Sequence, residues 1–503
     1  MASTGLRQCV RDVTPYLLLL ILVSTLGPLQ FGFHLAELNS PQDVITCKKK
    51  SIWRSDMARS STSNLPQCIP MTAAEFAAIS SVFTIGGLLG ALCAGPVSDA
   101  YGRLLAMRIN ACFFVLGAIL ETLSGNILIL GIGRLLAGVG AGASTVIVPL
   151  YVSEIAPPAE RGLFGSLTQV MINVGILVTQ TLGYYLSRGS MWRIILAVGF
   201  GIGVVQAFGL LIIPESPAWL AAHKHPQKAI HVLQRIRGAG RSINHEIEGW
   251  DIPTAAEEEH LLSEPPSPTE RRDSIVSKTS QKSVANIGFF QVFRDPLYQP
   301  AIIAVVGIMF AQQLCGINSI MMYSVSLLSG VLPIPSSLLT IMISIINLLT
   351  TIACAPLADK IGRKSCLLLS ISGMGTMSFA LAMAMRFEIK ILSAISVILF
   401  VAFFATGLGP VPFMMASELV GQEAVGATQS WSLGSNYVAT FLVAQFFPII
   451  NQKLNETFGG KGLVFFVFAG LALLSAIFVA WRVPETKGKK DADEVWGRTR
   501  RVD

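Results

Sequence analysis

The sequence predicts an all-α membrane protein of twelve transmembrane helices in two pseudo-symmetric six-helix bundles, and three observations carry that prediction. The 503 residues are 52% hydrophobic and 13% charged, against about 25% charged in an ordinary soluble domain. Apolar runs near the length needed to cross a bilayer recur along the whole chain. One pattern, Pro-x-x-Asp-x-x-Gly-Arg, occurs twice, at Pro96–Arg103 and Pro356–Arg363, each time between the second and third spans of its half.

Spans are expected at residues 14–36, 74–97, 105–125, 127–150, 163–186, 191–213, 297–325, 334–357, 365–386, 390–416, 427–449 and 462–482. They divide the chain into an N-terminal bundle (1–213), a cytoplasmic linker (214–296), a C-terminal bundle (297–483) and a cytoplasmic tail (484–503). The net charge of +7 does not point to nucleic acid, because the basic residues scatter over loops and tails. It fits cytoplasmic loops rich in Lys and Arg. The short loops at Arg103–Arg108 and Lys360–Lys364 follow that rule, while Lys48, Lys49 and Lys50 in the first outer loop run against it. The soluble parts hold no nucleophile–base set, metal-ligand cluster or nucleotide loop, so no enzyme, cofactor or metal is expected.

The first span ends Pro28-Leu-Gln30-Phe-Gly-Phe-His34, and His34 is the only histidine inside a span. Two readings stand for it, a hydrogen-bonded helix contact and a group that titrates near physiological pH. Cys47 and Cys68 share the following loop and form either a disulfide or two free thiols. The second span carries Gly86, Gly87, Gly90 and Gly95, small residues that allow close helix approach. In the repeated turn, glycine makes the bend, and Asp99 with Arg103, like Asp359 with Arg363, is placed to pair across helix ends. Glu121, late in the third span, is read as an interface residue or one paired to a polar neighbour, with a proton site as the sharper alternative. Arg134 opens the fourth span and needs a carboxylate, a carbonyl or water. Gln169 and Asn173 lie four apart in the fifth and share a face.

Pro214-Glu-Ser-Pro217 ends the sixth span. Pro226–Gly238 reads as a short amphipathic helix, and 251–285 as a disordered stretch rich in Pro, Ser, Thr and charge. Within the latter, Glu257–Leu262 resembles an acidic dileucine signal for a sorting adaptor, and Arg271-Arg-Asp-Ser274 a basophilic-kinase site.

The second half is organised around Phe310–Tyr323, FAQQLCGINSIMMY. Gln312, Gln313, Asn318 and Tyr323 are uncharged hydrogen-bonding groups at membrane depth, where they need a partner or a wet cavity. At 100° per residue, Gln312 and Asn318 lie ~120° apart on a regular helix and do not aim at one point. Gly316, between them, is where the helix is expected to unwind around a midplane site. Carboxamides and a phenol suit a neutral polyol. Gly407-Leu-Gly409-Pro410-Val-Pro412-Phe413 in the tenth span predicts a hinge with Phe413 as an apolar lid. Asn436 and Tyr437 follow in the eleventh. Asn455-Glu-Thr457 is a glycosylation sequon expected between the last two spans.

Together these residues resemble the sugar porters of the major facilitator superfamily. The matching pieces are Asp99 with Gly102-Arg103, Asp359 with Gly362-Arg363-Lys364, and Pro149–Glu154 with Arg161-Gly162. Pro214–Pro217, Gln312–Asn318, Gly409–Pro412 and Pro484–Lys487 complete the set. The resemblance implies a hexose-like substrate between the bundles and alternating access by rocking. It places sugar contacts on Gln169, Gln312, Gln313, Asn318, Asn347 and Asn436, with Phe413 and Tyr437 at aromatic positions. It places conformational latch charges on Asp99, Arg103, Glu154, Arg161, Asp359, Arg363 and Glu418.

The chain also departs from the family. His34 stands where proton-coupled members have aspartate and many facilitators asparagine, while its family partner is present as Arg134. Ala405, Val425, Met322 and Ala218 replace family polar or aromatic residues, so the inner latch is expected to be weakened. The reading is transport of a monosaccharide or related polyol, facilitative in character. Its alternatives are a proton symporter using His34 and a non-transporting sensor of the same fold. Plasma membrane and vacuolar or lysosomal membrane are both expected locations.

Overall fold

The computed structural model describes residues 13–48, 65–157, 160–223, 225–238, 243–247, 289–327, 335–355, 357–421, 424–489 and 492–497. Regular structure among them is helical throughout. Among the described residues, eleven helical segments are long and apolar enough to cross a membrane. Arg161–Leu186 lies in series between the fourth and sixth of the spans, with Gln169, Asn173 and Gln180 along its length. With it the twelve expected spans are complete.

The first six spans pack mainly on one another, and so do the last six. Between the two groups the second span meets the eleventh and the fifth meets the eighth. Lipid offers no hydrophobic gain between helices, so contact rests on close backbone approach. The glycines of the second and fourth spans provide it: a Cβ on Gly142 would lie 1.9 Å from the Gly87 carbonyl oxygen. On the outside, Leu128, Ile212 and Trp481 stay largely exposed, as a lipid-facing belt requires.

The repeated turn has the same construction in both halves. Gly102 (φ +98°) and Gly362 (φ +103°) each lie between two helices. Glu215 accepts from the backbone N–H of Arg103 at 2.9 Å and of Leu104 at 3.1 Å. Glu485 accepts from Arg363 N at 2.8 Å and Lys364 N at 3.1 Å. A carboxylate at a helix N-terminus satisfies donors that the helix itself cannot.

Some expectations about boundaries change. Pro96 and Asp99 lie inside the helix Ala73–Tyr101, so the bend falls on Gly102 alone. The eleventh span runs Val425–Phe458 and carries Asn455 in its last turns, where its Nδ2 faces Asn451 Oδ1 at 3.4 Å. The sequon is thus helical, with Asn455 half-buried and Glu456 and Thr457 exposed, not a free loop. Cys47 and Cys68 are joined as a disulfide. The loop they close is pinned by Trp192 Nε1, which donates to the Gln67 carbonyl at 2.8 Å.

The linker helix Pro226–Arg237 forms as its pattern predicts and buries Ala229, Leu233 and Ile236. Thr14 Oγ1 donates to the Ile236 carbonyl, and Arg237 Nη1 to that of Ile155, both at 2.7 Å. The stretch 251–285, the dileucine-like Glu257–Leu262 and Arg271–Ser274 lie outside the described residues.

Candidate functional site

The seventh span is two helices, Gln299–Leu314 and Ile317–Leu327. Gly316 between them takes φ +94°, which glycine enters without steric penalty. The break brings Asn318 back over Gln313, and a ladder of carboxamides results. Asn436 Nδ2 donates to Gln312 Oε1 at 2.5 Å, and Gln313 Nε2 reaches the same oxygen at 3.2 Å. Asn318 Nδ2 donates to Gln313 Oε1 at 2.6 Å and to Thr440 Oγ1 at 3.3 Å. Gln312 Nε2 in turn donates to the Leu408 carbonyl. That carbonyl is free because the tenth span also breaks, between Lys390–Thr406 and Val411–Glu418.

A second polar group lies on the seam between the bundles. Asn173 Nδ2 donates to Thr351 Oγ1 at 2.8 Å, and Asn347 Nδ2 donates to Asn173 Oδ1 at 3.1 Å. Gln169 Nε2 reaches that oxygen at 3.4 Å. Asn347 Oδ1 is buried with no donor. Asn173, passed over as a site residue in the sequence, is the hub; its spacing from Gln169 was the available signal. Tyr437 packs with Ala91, Leu433 and Phe413 at the meeting of the second and eleventh spans. Its ring lies over Gly87, and its hydroxyl stands 3.4 Å from Thr145 Oγ1.

At the disulfide end the bundles are tied together. Asn39 Nδ2 donates to the Met321 carbonyl at 3.0 Å and Ser324 Oγ at 2.8 Å, and its Oδ1 accepts from Val325 N. Ser81 Oγ donates to Gln445 Oε1 at 2.7 Å. At the opposite end no described ion pair joins the two bundles. Arg103 pairs with Asp99 at 2.8 Å and Glu154 at 3.0 Å, and Arg363 with Glu418 at 3.0 Å. Thr486 Oγ1 donates to Glu418 as well. The side chains of Arg161 and Asp359 lie outside the described ones.

His34 and Arg134 are buried, and the carboxylate that Arg134 requires is Glu37. Arg134 Nη1 donates to Glu37 Oε1 at 2.6 Å and to the His34 carbonyl at 2.6 Å. His34 Nδ1 lies 3.0 Å from Glu37 Oε1 and 3.7 Å from Glu121 Oε2. Glu121 is therefore no interface residue; it is wholly buried within the N-terminal bundle. Sequence reasoning missed Glu37, although its i,i+3 spacing from His34 was visible. One nitrogen of His34 and one oxygen of each glutamate converge within 4.8 Å. A divalent ion fits poorly here, because Arg134 already sits on Glu37 and the added charge would exceed the two carboxylates.

Residues 20–495 match the family model described as sugar (and other) transporter. A probable metabolite transport protein of Saccharomyces cerevisiae is 34% identical over 99% of this chain and 98% of its own length. The vacuolar protein sorting-associated protein 73 of the same yeast is 31% identical, covering 96% of each. The human solute carrier family 2, facilitated glucose transporter member 4, is 30% identical over 95% of this chain and 89% of its own. In structure the chain is similar to the xylose transporter XylE from E. coli, with a TM-score of 0.71 and 22% identity, covering 95% of this chain and 100% of that one.

Proposed function

Because the chain belongs to the sugar (and other) transporter family, we propose that it carries a neutral monosaccharide or related polyol across a membrane by alternating access. The observation that supports this most directly is the uncharged ladder Asn436–Gln312–Gln313–Asn318, folded back on itself at Gly316. Its amides now bond to one another. Sugar hydroxyls both donate and accept, so they replace amide–amide bonds one for one with little net penalty. Gln169 from the N-terminal bundle and Asn347 from the C-terminal one add contacts at the seam, and Phe413 and Tyr437 cover the sugar with apolar faces.

In this reading the bundles rock about the seam. Asn39 and Ser81 close the disulfide end, and Asp99, Arg103, Glu154 and Arg161 with Asp359, Arg363 and Glu418 set the opposite end. Relatives named as facilitated glucose transporters support downhill transport. The buried acids beside His34 favour a second, proton-linked reading. The protein is a multi-pass membrane protein of a transporter family; a vacuolar membrane is supported by the name of one yeast relative, and the plasma membrane is the other location in this reading. A sorting adaptor at Glu257–Leu262 is tested by Leu261→Ala with Leu262→Ala, which must relocate the protein if the signal is used.

The deciding experiment is uptake by proteoliposomes of a panel of neutral hexoses, pentoses and polyols. Saturable uptake of at least one sugar, lost in Gln312→Ala and in Asn318→Ala, is expected. Protein-loaded and empty vesicles that behave alike across the panel would overturn the reading.

A further inference from the structure

Glu121 is the buried group for which sugar carriage has no use. It lies on the third span at 0% exposure, and no donor is directed at either of its carboxylate oxygens. The titratable and charged groups that act on it are Glu37 and His34 from the first span and Arg134 from the fourth. One carboxylate oxygen of Glu37 and one of Glu121 lie within 4.8 Å of each other, with one nitrogen of His34 inside the same radius. The second span contributes only the Phe83 ring beneath Arg134, and the third stacks Phe114 on the His34 ring. The sixth brings Gly199 against His34, while its Arg193 turns away to the carbonyls of Thr122 and Pro66.

Two carboxylates, one guanidinium and a neutral imidazole leave this sealed cluster one negative charge in excess. An uncompensated charge at such depth is strongly unfavourable, and a single proton removes it. The geometry indicates where that proton sits. Glu37 Oε1 accepts from Arg134 Nη1 and is faced by His34 Nδ1, so Glu37 is the anion. Its Oε2 has no donor.

We propose that Glu121 is a carboxylic acid whose proton is shared with Glu37, and that this proton exchanges with water whenever the disulfide end opens. The second half of the proposal rests on the carrier reading. Glu37 stands two residues before Asn39, whose bonds to Met321 and Ser324 close that end. Opening must break those bonds, and it wets the helix end that carries His34 and Glu37. The O–H bond of Glu121 then breaks, the proton passes to water, and the electron pair remains on the carboxylate. Closure reverses the step on the same side, so no proton crosses the membrane and the opening, with the uptake that depends on it, follows the pH at the disulfide end.

The test uses the full-length chain in lipid vesicles. Infrared difference spectra of wild type against E121Q at neutral pH are expected to show the carbonyl stretch of a protonated acid, absent from the variant. A wild type without that band, or a band that survives in E121Q, overturns the site. The amide is isosteric with a protonated acid, so E121Q is expected to melt with the wild type; an early melt also counts against the proposal. For exchange, uptake of D-glucose and D-xylose is measured at alkaline and at acidic pH, equal on both faces of the vesicles, and expressed as the ratio of the two. The ratio is expected to be severalfold in wild type and to fall to about one in E121Q; a ratio of one in wild type overturns the exchange step. Vesicles that take up neither sugar while the band behaves as expected count against the sugar reading and leave the proton site standing.

Discussion

Arg134 Nη1 meets Glu37 Oε1 at 2.6 Å with both side chains buried in the N-terminal bundle. Removing one partner of such a pair leaves the other as an uncompensated charge, at a cost of about 3–5 kcal/mol. Glu37→Ala is therefore expected to lower the thermal midpoint in detergent markedly, and Glu37→Ala with Arg134→Leu to recover part of the loss. Equal melts for wild type and the single variant would mean that the pair is not formed.

Asn39 holds the disulfide end through three hydrogen bonds to the seventh span. Asn39→Ala removes them without touching the amide ladder. Its expected effect is a population shift toward states open at that end, by up to about tenfold if the net loss is ~1.4 kcal/mol. Thiol labelling of a cysteine placed at Val325, which bonds Asn39 through its backbone alone, reports the shift; unchanged labelling rates argue against a closing role for Asn39.

Gly142 packs on the Gly87 carbonyl with no room for a side chain. Gly142→Val has to push the second and fourth spans apart, and overpacking of this kind costs about 1–3 kcal/mol or more. Low yield and an early melt are expected, while Gly131→Ala, which meets open space, should match the wild type. A Gly142→Val protein as stable as wild type would show that the helices are not in contact.

Glu215 and Glu485 do the same work in the two halves, each accepting backbone N–H groups just after a glycine turn. Hydrogen bonds to a charged group contribute about 1.5–3 kcal/mol. Glu215→Ala and Glu485→Ala are each expected to destabilise by a similar amount, measurable by melting. A large effect in one and none in the other would break the symmetry inferred from the repeated turn.

Gln312 Oε1 accepts from both Asn436 and Gln313. Gln312→Ala leaves those donors without their acceptor, so sugar uptake is expected to fall about tenfold or more while the helices remain folded. Normal circular dichroism with lost uptake is the expected pair of results; retained uptake would place the sugar elsewhere.

Much of this architecture was readable in advance. Gly316 and the Gly407–Pro412 run marked both helix breaks, because glycine and proline act on the backbone locally. The two Pro-x-x-Asp-x-x-Gly-Arg turns announced the internal repeat for the same reason. The charged cluster was only half visible. Arg134 in an apolar span demanded a carboxylate, but its candidates lay on several helices, and of the two readings of Glu121, at an interface or beside a polar neighbour, only packing selected the second. Asn173 was noted for its face and not for its place between Thr351 and Asn347.

By itself, the sequence determined the spans, the breaks and the uncharged character of the central polar residues, since each follows from hydropathy and backbone preference within a few residues. Only the tertiary structure decided that Glu37 and Glu121 share a sealed pocket with His34 and Arg134, and that Asn173 bridges the bundles. Those pairings join side chains about 80 to 180 positions apart or on separate helices, and their geometry depends on helix rotation and depth, which the packing of neighbouring spans sets.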